Sequence, residues 1–286
     1  MAINIQTNVD SLIAQRNLNA TTDKLRSAYS RLSSGLRITR AQDDAAGLAI
    51  AEQLKADSRV ATVAIRNAND GVSIIAITDG AMGEITNVLA RMAELAEQSA
   101  NGVYSVAQRS ALQQEFTALG AEIERIASTT EFNQLSLLSN SSLVTLQVGF
   151  DGGESSRITY SGVEATLASI GLAATGTSTL LFSLNDVTAA LGQQASRAAL
   201  DGIKEAITSV TRTRGTLGAA ESRLSIAINN LQIARENFTA AESRIRDVDV
   251  AAEAADLTRL NILQQAAAAV VAQANQQPSL ALSLLQ

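Results

Sequence analysis

Asp43 and Asp44 stand side by side in RITRAQDDAAG, and a pair of carboxylates is the chain's nearest approach to acid–base chemistry. Neighbouring helical residues diverge by about 100°, so the two cannot converge on one substrate without a special turn. A carboxylate just ahead of an apolar-periodic segment suits a helix N-cap better, because it accepts free backbone N–H groups and complements the helix dipole. Most other reactive groups are missing, since the 286 residues include no His and no Cys. That removes disulfides, thiolate and imidazole metal sites, Cys nucleophiles and a Ser-His-Asp triad. No catalytic, cofactor-binding or metal-binding residue is assigned.

The elements that would carry any site are built from unusual material. There is one proline, where average usage predicts about fourteen, no Trp, and only 3% aromatic residues. Such a chain buries thin layers of Ala, Leu, Ile and Val between long elements that nothing interrupts. A net charge of −6 without a Lys/Arg cluster argues against nucleic acid as a partner. The longest apolar run, Ala266 to Ala272, falls well short of the roughly 20 residues that span a bilayer. The amino terminus, MAINIQTNVDSLIAQR, shows no basic segment followed by an apolar stretch and a cleavage site, so neither a membrane nor the Sec route is expected.

Alternating steps of four and three from Ile50 meet Leu54, Asp57, Ala61, Ala64, Ala68, Gly71, Ile75, Thr78, Met82, Ile85, Leu89, Met92 and Ala96. This is one coiled-coil seam, and it predicts a single helix through the Asn69-Asp70-Gly71 turn signal because the register is the same on both sides. Asn101-Gly102 ends it, and Ser105 offers an N-cap for a second helix to about Ala127. From Ile203 the same steps give Ile207, Val210, Arg214, Leu217, Glu221, Leu224, Ile228, Leu231, Arg235 and Phe238. The longest seam would make a rod on the order of 70 Å.

Both ends of the chain are amphipathic. Leu18, Leu25 and Leu32 are seven apart, as are Tyr29 and Leu36, and Leu257, Leu260, Ala267, Val271 and Ala274 form a similar stripe. Residues 1–40 carry six basic and two acidic side chains, a net of +4, whereas 247–286 carry four acidic and one basic, a net of −3. Such ends suit antiparallel pairing with each other, association between neighbouring copies, or simply two solvated faces.

Mid-chain the period changes. LVTLQV (Leu143–Val148) alternates, Phe150-Asp151-Gly152-Gly153 is a turn, and RITY (Arg157–Tyr160) is β-branched and aromatic, so a β-hairpin is expected. Gly171 to Thr179 reads as a loop. The expected fold is mainly α: a long coiled-coil-like helical hairpin or bundle with a small β-hairpin insert and paired termini.

Arg31 to Leu54 (RLSSGLRITRAQDDAAGLAIAEQL), RNANDGVSI from Arg66 and ELAEQSANG from Glu94 resemble the amino-terminal block of bacterial flagellins. ENFTAAESRIRDVDVAAE from Glu236 and QANQQPSLALSLL from Gln273 resemble the carboxy-terminal block. Three positions depart from the common pattern: Thr39, Gln134 after Phe132-Asn133, and Val250.

The resemblance implies a D0 domain from 1–44 and 246–286, and a D1 helical rod from 45–190 and 191–245 with its hairpin near 139–165. It leaves no room for outer D2 and D3 domains. Leu18, Leu25, Leu32, Leu36, Leu257, Leu260 and Val271 would be polymerisation seams, and Ile75, Ile85, Leu89, Leu224, Ile228 and Leu231 the D1 core. It further implies a non-enzymatic subunit that is exported unfolded by the flagellar type III apparatus and polymerises into the extracellular filament for swimming. A secretion chaperone on about 247–286, the filament cap and hook-associated proteins would be partners. Arg91, Leu95 and Glu115 match positions that contact the vertebrate Toll-like receptor for flagellin; equally, Leu95 flanks the Ala96 seam position, and Arg91 and Glu115 suit inter-subunit or solvent-facing places. O-linked glycans on 139–179 are a further implied possibility, and a hook-filament junction protein is the alternative reading.

Overall fold

A computed structural model describes residues 7–186 and 188–283, with side chains as far as Gln276. The few terminal residues of the expected D0 domain beyond 7 and 283 lie outside the described residues.

Among the described residues five helices carry the fold: α1 (Val9–Ser34), α2 (Ala45–Ala100), α3 (Val106–Thr129), α4 (Ala189–Arg246) and α5 (Val250–Ser283). Their ends are set locally. Asn8 accepts the Ser11 N–H at the start of α1, and Gly35 closes that helix with φ +73°. Asp44 Oδ1 accepts the Gly47 N–H at 2.8 Å in the first turn of α2, the capping role expected of the carboxylate pair. Its neighbour Asp43 folds the preceding turn instead, taking the Thr39 and Arg40 N–H groups and the Thr39 hydroxyl. Ser105 and Gln108 form a capping box on α3. Asp249 accepts the Ala251 and Ala252 N–H groups and caps α5.

By contact density the chain forms two compact units, 1–58 with 236–286 and 59–235. Each holds its own packing.

In the second unit the α2 seam is buried at every step from Ala61 to Ala96, including Gly71 and Thr78. Thr78 is satisfied by its own helix, its hydroxyl donating to the Ile74 carbonyl. Gly71 explains why the Asn-Asp-Gly signal does not break α2, since Leu146 and Leu224 close over it and a Cβ there would overlap Leu146. Four other helical glycines, Gly80, Gly83, Gly215 and Gly218, face open space. On α4, Ile203, Val210, Leu217, Leu224 and Leu231 are buried. The charge at seam position Arg214 is met by Asp79 of α2 through two bonds of 2.7 and 3.0 Å, which hold the Asp79 carboxyl below its ordinary value. By length and composition a stretch of α2 would also pass as bilayer-spanning, but here its apolar stripe lines the core.

The β insert contains two antiparallel hairpins. Strands β3 (Leu143–Gln147) and β4 (Arg157–Ser161) pair from Leu143–Ser161 to Gln147–Arg157, as the alternation predicted. A smaller pair, β1 (Glu131–Phe132) and β2 (Leu135–Ser136), is absent from the sequence reading. Its two turn residues, Asn133 and Gln134, have φ +48° and +66°, the sign pattern of a type I′ turn. The usual Asn-Gly signal is hidden because Gln stands at the second position. The Gly171–Thr179 segment is irregular as expected, yet Leu172 and Ala173 within it are buried in the core.

Arg109 is fully buried between α2, α3 and the chain entering α4. It donates to the Asn101 carbonyl at 2.9 Å and to Ser99 Oγ at 3.4 Å, while Ser196 Oγ donates to Ser99 Oγ. An arginine in a polar-looking stretch gave no sign of this.

Candidate functional site

The described residues hold no group of His, Cys, Asp and Glu that could bind a metal, and the surfaces left by the terminal helices are the features that bear on function. In the first unit α1 and α5 run antiparallel. Ser11, Ala14, Leu25 and Ala28 are buried along α1, with Leu18 and Leu32 half-buried. Leu257, Leu260, Ala267 and Val271 are half-buried along α5, and Ala274 is buried. Leu36, past the end of α1, is half-buried and pairs with Asp247 as an isolated β-bridge. Arg37 caps the end of α4, its N–H on the Arg246 carbonyl and its guanidinium on the Ile245 carbonyl at 2.5 Å. Arg246 in turn pairs with Glu52 at 2.8 Å.

The polar bonds across the α1–α5 seam are uncharged. Ser11 Oγ donates to Asn275 Oδ1, and Gln264 Nε2 donates to Thr22 Oγ1. Asn8 Nδ2 donates to the Ala274 carbonyl at 2.7 Å. That carbonyl lacks its helical partner because the residue four places on, Pro278, has no N–H. The chain's single proline therefore frees an acceptor in α5, and the cap of α1 takes it. No ion pair joins α1 to α5 among the described residues, so the opposite charges of the two ends are not spent on holding them together.

The pairing leaves a set of apolar side chains uncovered. Val9, Leu12 and Ile13 on the back of α1 are 53%, 58% and 44% exposed, and Ile262, Leu263 and Val270 on the back of α5 are 62%, 46% and 57% exposed. α5 is thus apolar on both faces, a pattern that belongs to a buried helix. Only one face is covered here.

The remaining predicted positions divide. In the second unit Ile75, Ile85, Leu89, Leu224 and Leu231 are buried, and Ile228 packs half-buried against the same core. Arg91 and Glu115 are brought together on the exposed faces of α2 and α3, with bonds of 2.9 and 2.8 Å, and Arg91 also reaches Glu94 at 2.8 Å. The Glu94 and Glu115 carboxylates raise the Arg91 guanidinium above its ordinary value. Leu95 is not beside them on the surface: it is 1% exposed and packs in the core. Ile50, where the seam count began, is 54% exposed.

Paired terminal helices that leave apolar backs uncovered mark an interaction surface, the feature of a protein that associates through its helices. Comparison makes this particular. Residues 5–142 match the bacterial flagellin N-terminal helical region, and residues 200–285 match the bacterial flagellin C-terminal helical region. A flagellin of Halalkalibacterium halodurans is 44% identical over 283 residues, covering 99% of each chain. The flagellar filament 33 kDa core protein of Treponema phagedenis is 38% identical, again over 99% of each chain. A solved Vibrio parahaemolyticus structure described as a flagellar hook-associated protein has a TM-score of 0.58 at 14% identity, covering 72% of this chain and 100% of that one, and speaks for the fold alone. The chain belongs to the bacterial flagellin family, a structural protein family, and is a subunit of the flagellar filament.

Proposed function

We propose that this flagellin polymerises through the backs of its terminal helices, and that the subunit works without catalysing any reaction. The observation that carries this is the exposed apolar set Val9, Leu12, Ile13, Ile262, Leu263 and Val270, which remains after α1 and α5 have buried their shared seam. Covering that set on a neighbouring copy makes folding of the ends and growth of the polymer one linked equilibrium. A heterologous contact that does not close on itself yields a helical filament.

In this reading 1–44 with 246–286 form D0, and 45–245 form D1. Leu18, Leu25, Leu32 and Leu36, with Leu257, Leu260 and Val271, close the seam that shapes D0 for assembly. The chain crosses to the cell exterior unfolded through the flagellar type III apparatus, which the lack of Cys favours because no disulfide can lock it. A secretion chaperone shields the apolar stripe of about 247–286 before export, and the cap and hook-associated proteins meet the filament's ends. Recognition by the vertebrate Toll-like receptor rests on the exposed Arg91 and Glu115, with the buried Leu95 supporting them by packing.

The test is electron microscopy of heat-dissociated, seeded protein. Full-length chain should form long filaments. Ile262→Glu with Val270→Glu, and a chain lacking 247–286, should form none while the helical signal of residues 59–235 persists. Filaments from the doubly substituted chain would overturn the reading.

A further inference from the structure

The back of α1 changes character along its length. Taking Leu25 and Ala28 as the seam, turns of 100° per residue place Asp23, Arg26, Ser27 and Ser30 on the opposite side of the helix, and all four are exposed. They form one wall of a cleft of about 610 Å³ whose other wall is the turn containing Arg40 and Asp43. Both acids of the cleft are already engaged: Asp23 lies 3.7 Å from Arg26, and Asp43 is held by the Thr39 and Arg40 amides. Three arginines, Arg26, Arg31 and Arg40, line the cleft against these two acids, an excess of one positive charge. This basic cleft continues the apolar back formed by Val9, Leu12 and Ile13.

The complementary charge sits at the start of α5, where Asp247 and Asp249 are exposed beside Val250, itself 58% exposed, and Asp256, farther along the helix, is exposed and paired with Arg259 at 2.8 Å. Their own chain does not bring them to the cleft. Asp247 is tied by its backbone to Leu36, α5 occupies the seam face of α1, and the cleft opens on the other side.

We infer that the cleft walled by Arg26, Arg31 and Arg40 receives the acidic start of α5 from a second copy of this chain. This rests on the filament reading and names the polar half of its interface. The +4 and −3 ends are then complementary between copies, setting which neighbour docks and in what register, while the apolar backs supply the burial.

The experiment measures seeded elongation of full-length chain at low ionic strength. Asp249 is left intact because it caps α5. Arg26→Glu with Arg40→Glu, and separately Asp247→Lys with Asp256→Lys, should each slow elongation about tenfold or more. The two variants mixed, or all four changes in one chain, should restore it to within about threefold, since like charges meet in the first two cases and opposite charges in the last two. Restoration by the mixture also shows that each variant is folded. Unaltered elongation in either single-side variant, or loss that neither the mixture nor the fourfold variant reverses, overturns the inference. Failure of the unmodified chain to elongate would instead sink the filament reading.

Discussion

Asn8 does two things with one side chain. Its oxygen caps α1 through the Ser11 N–H, and its nitrogen takes the carbonyl that Pro278 leaves free. Asn8→Asp keeps the first and loses the second. It should therefore weaken the α1–α5 pairing in the native background by about 1 kcal/mol, and much less beside Pro278→Ala, where the helix supplies its own N–H. Hydrogen exchange of α1 amides in the four chains of that cycle measures the coupling, and equal costs in both backgrounds would refute the link. Gln134 makes a simpler case. A side chain at φ +66° is strained where glycine is not, so Gln134→Gly should raise the stability of the β-hairpin unit by about 1 kcal/mol in urea unfolding. Here lies the limit of reading residues from the chain. The Asp44 cap was legible because capping is local, and so was the hairpin Leu143–Ser161. Arg109, the Asn8 bond and the Asn133-Gln134 turn were not, because each depends on a partner remote in sequence or on a backbone angle that its residue type does not advertise.

At the level of elements, spacing alone located α2 through a turn signal, and the reason is visible in Gly71: the seam needs a missing side chain there, and Leu146 fills the space. Gly80, Gly83, Gly215 and Gly218 lack that excuse. With nothing near their missing Cβ, each Gly→Ala change should stabilise the free subunit by about 0.5–1 kcal/mol, read from its thermal midpoint. Gly71→Ala, in the same helix, should destabilise it. The Asp79–Arg214 bridge between α2 and α4 carries a sign that acid can test. Because Arg214 holds the Asp79 carboxyl below its ordinary value, the bridge's contribution is whole above the unfolded carboxyl's pKa of about 3.9 and is lost as pH falls through the lowered folded value. Thermal midpoints of the native chain should thus fall more steeply below about pH 4 than those of Asp79→Asn, with parallel curves near neutrality. Both side chains are about two-fifths exposed, so the difference should be modest.

Taken whole, the molecule distributes its packing unevenly. The second unit buries Phe116, five leucines of α2 and α4, several isoleucines and the inward side of the β insert. Among the described residues of the first unit, buried apolar groups are chiefly alanines, with Leu25 and Ile38. Amides of α1 and α5 should therefore exchange at least about tenfold faster than those near Ile85 and Leu89 in the unassembled chain, and lose that difference once polymerised. Equal protection in the free chain would contradict this. The thin alanine seam has a consequence for turnover. A subunit that stays alone keeps opening at its ends, and a protease needs only such an opening to cut. Copies stranded outside a growing filament would be trimmed from 7–58 and 236–283 inward, while incorporated copies are spared. Weak ends thus let degradation sort surplus chains from built ones without any tag.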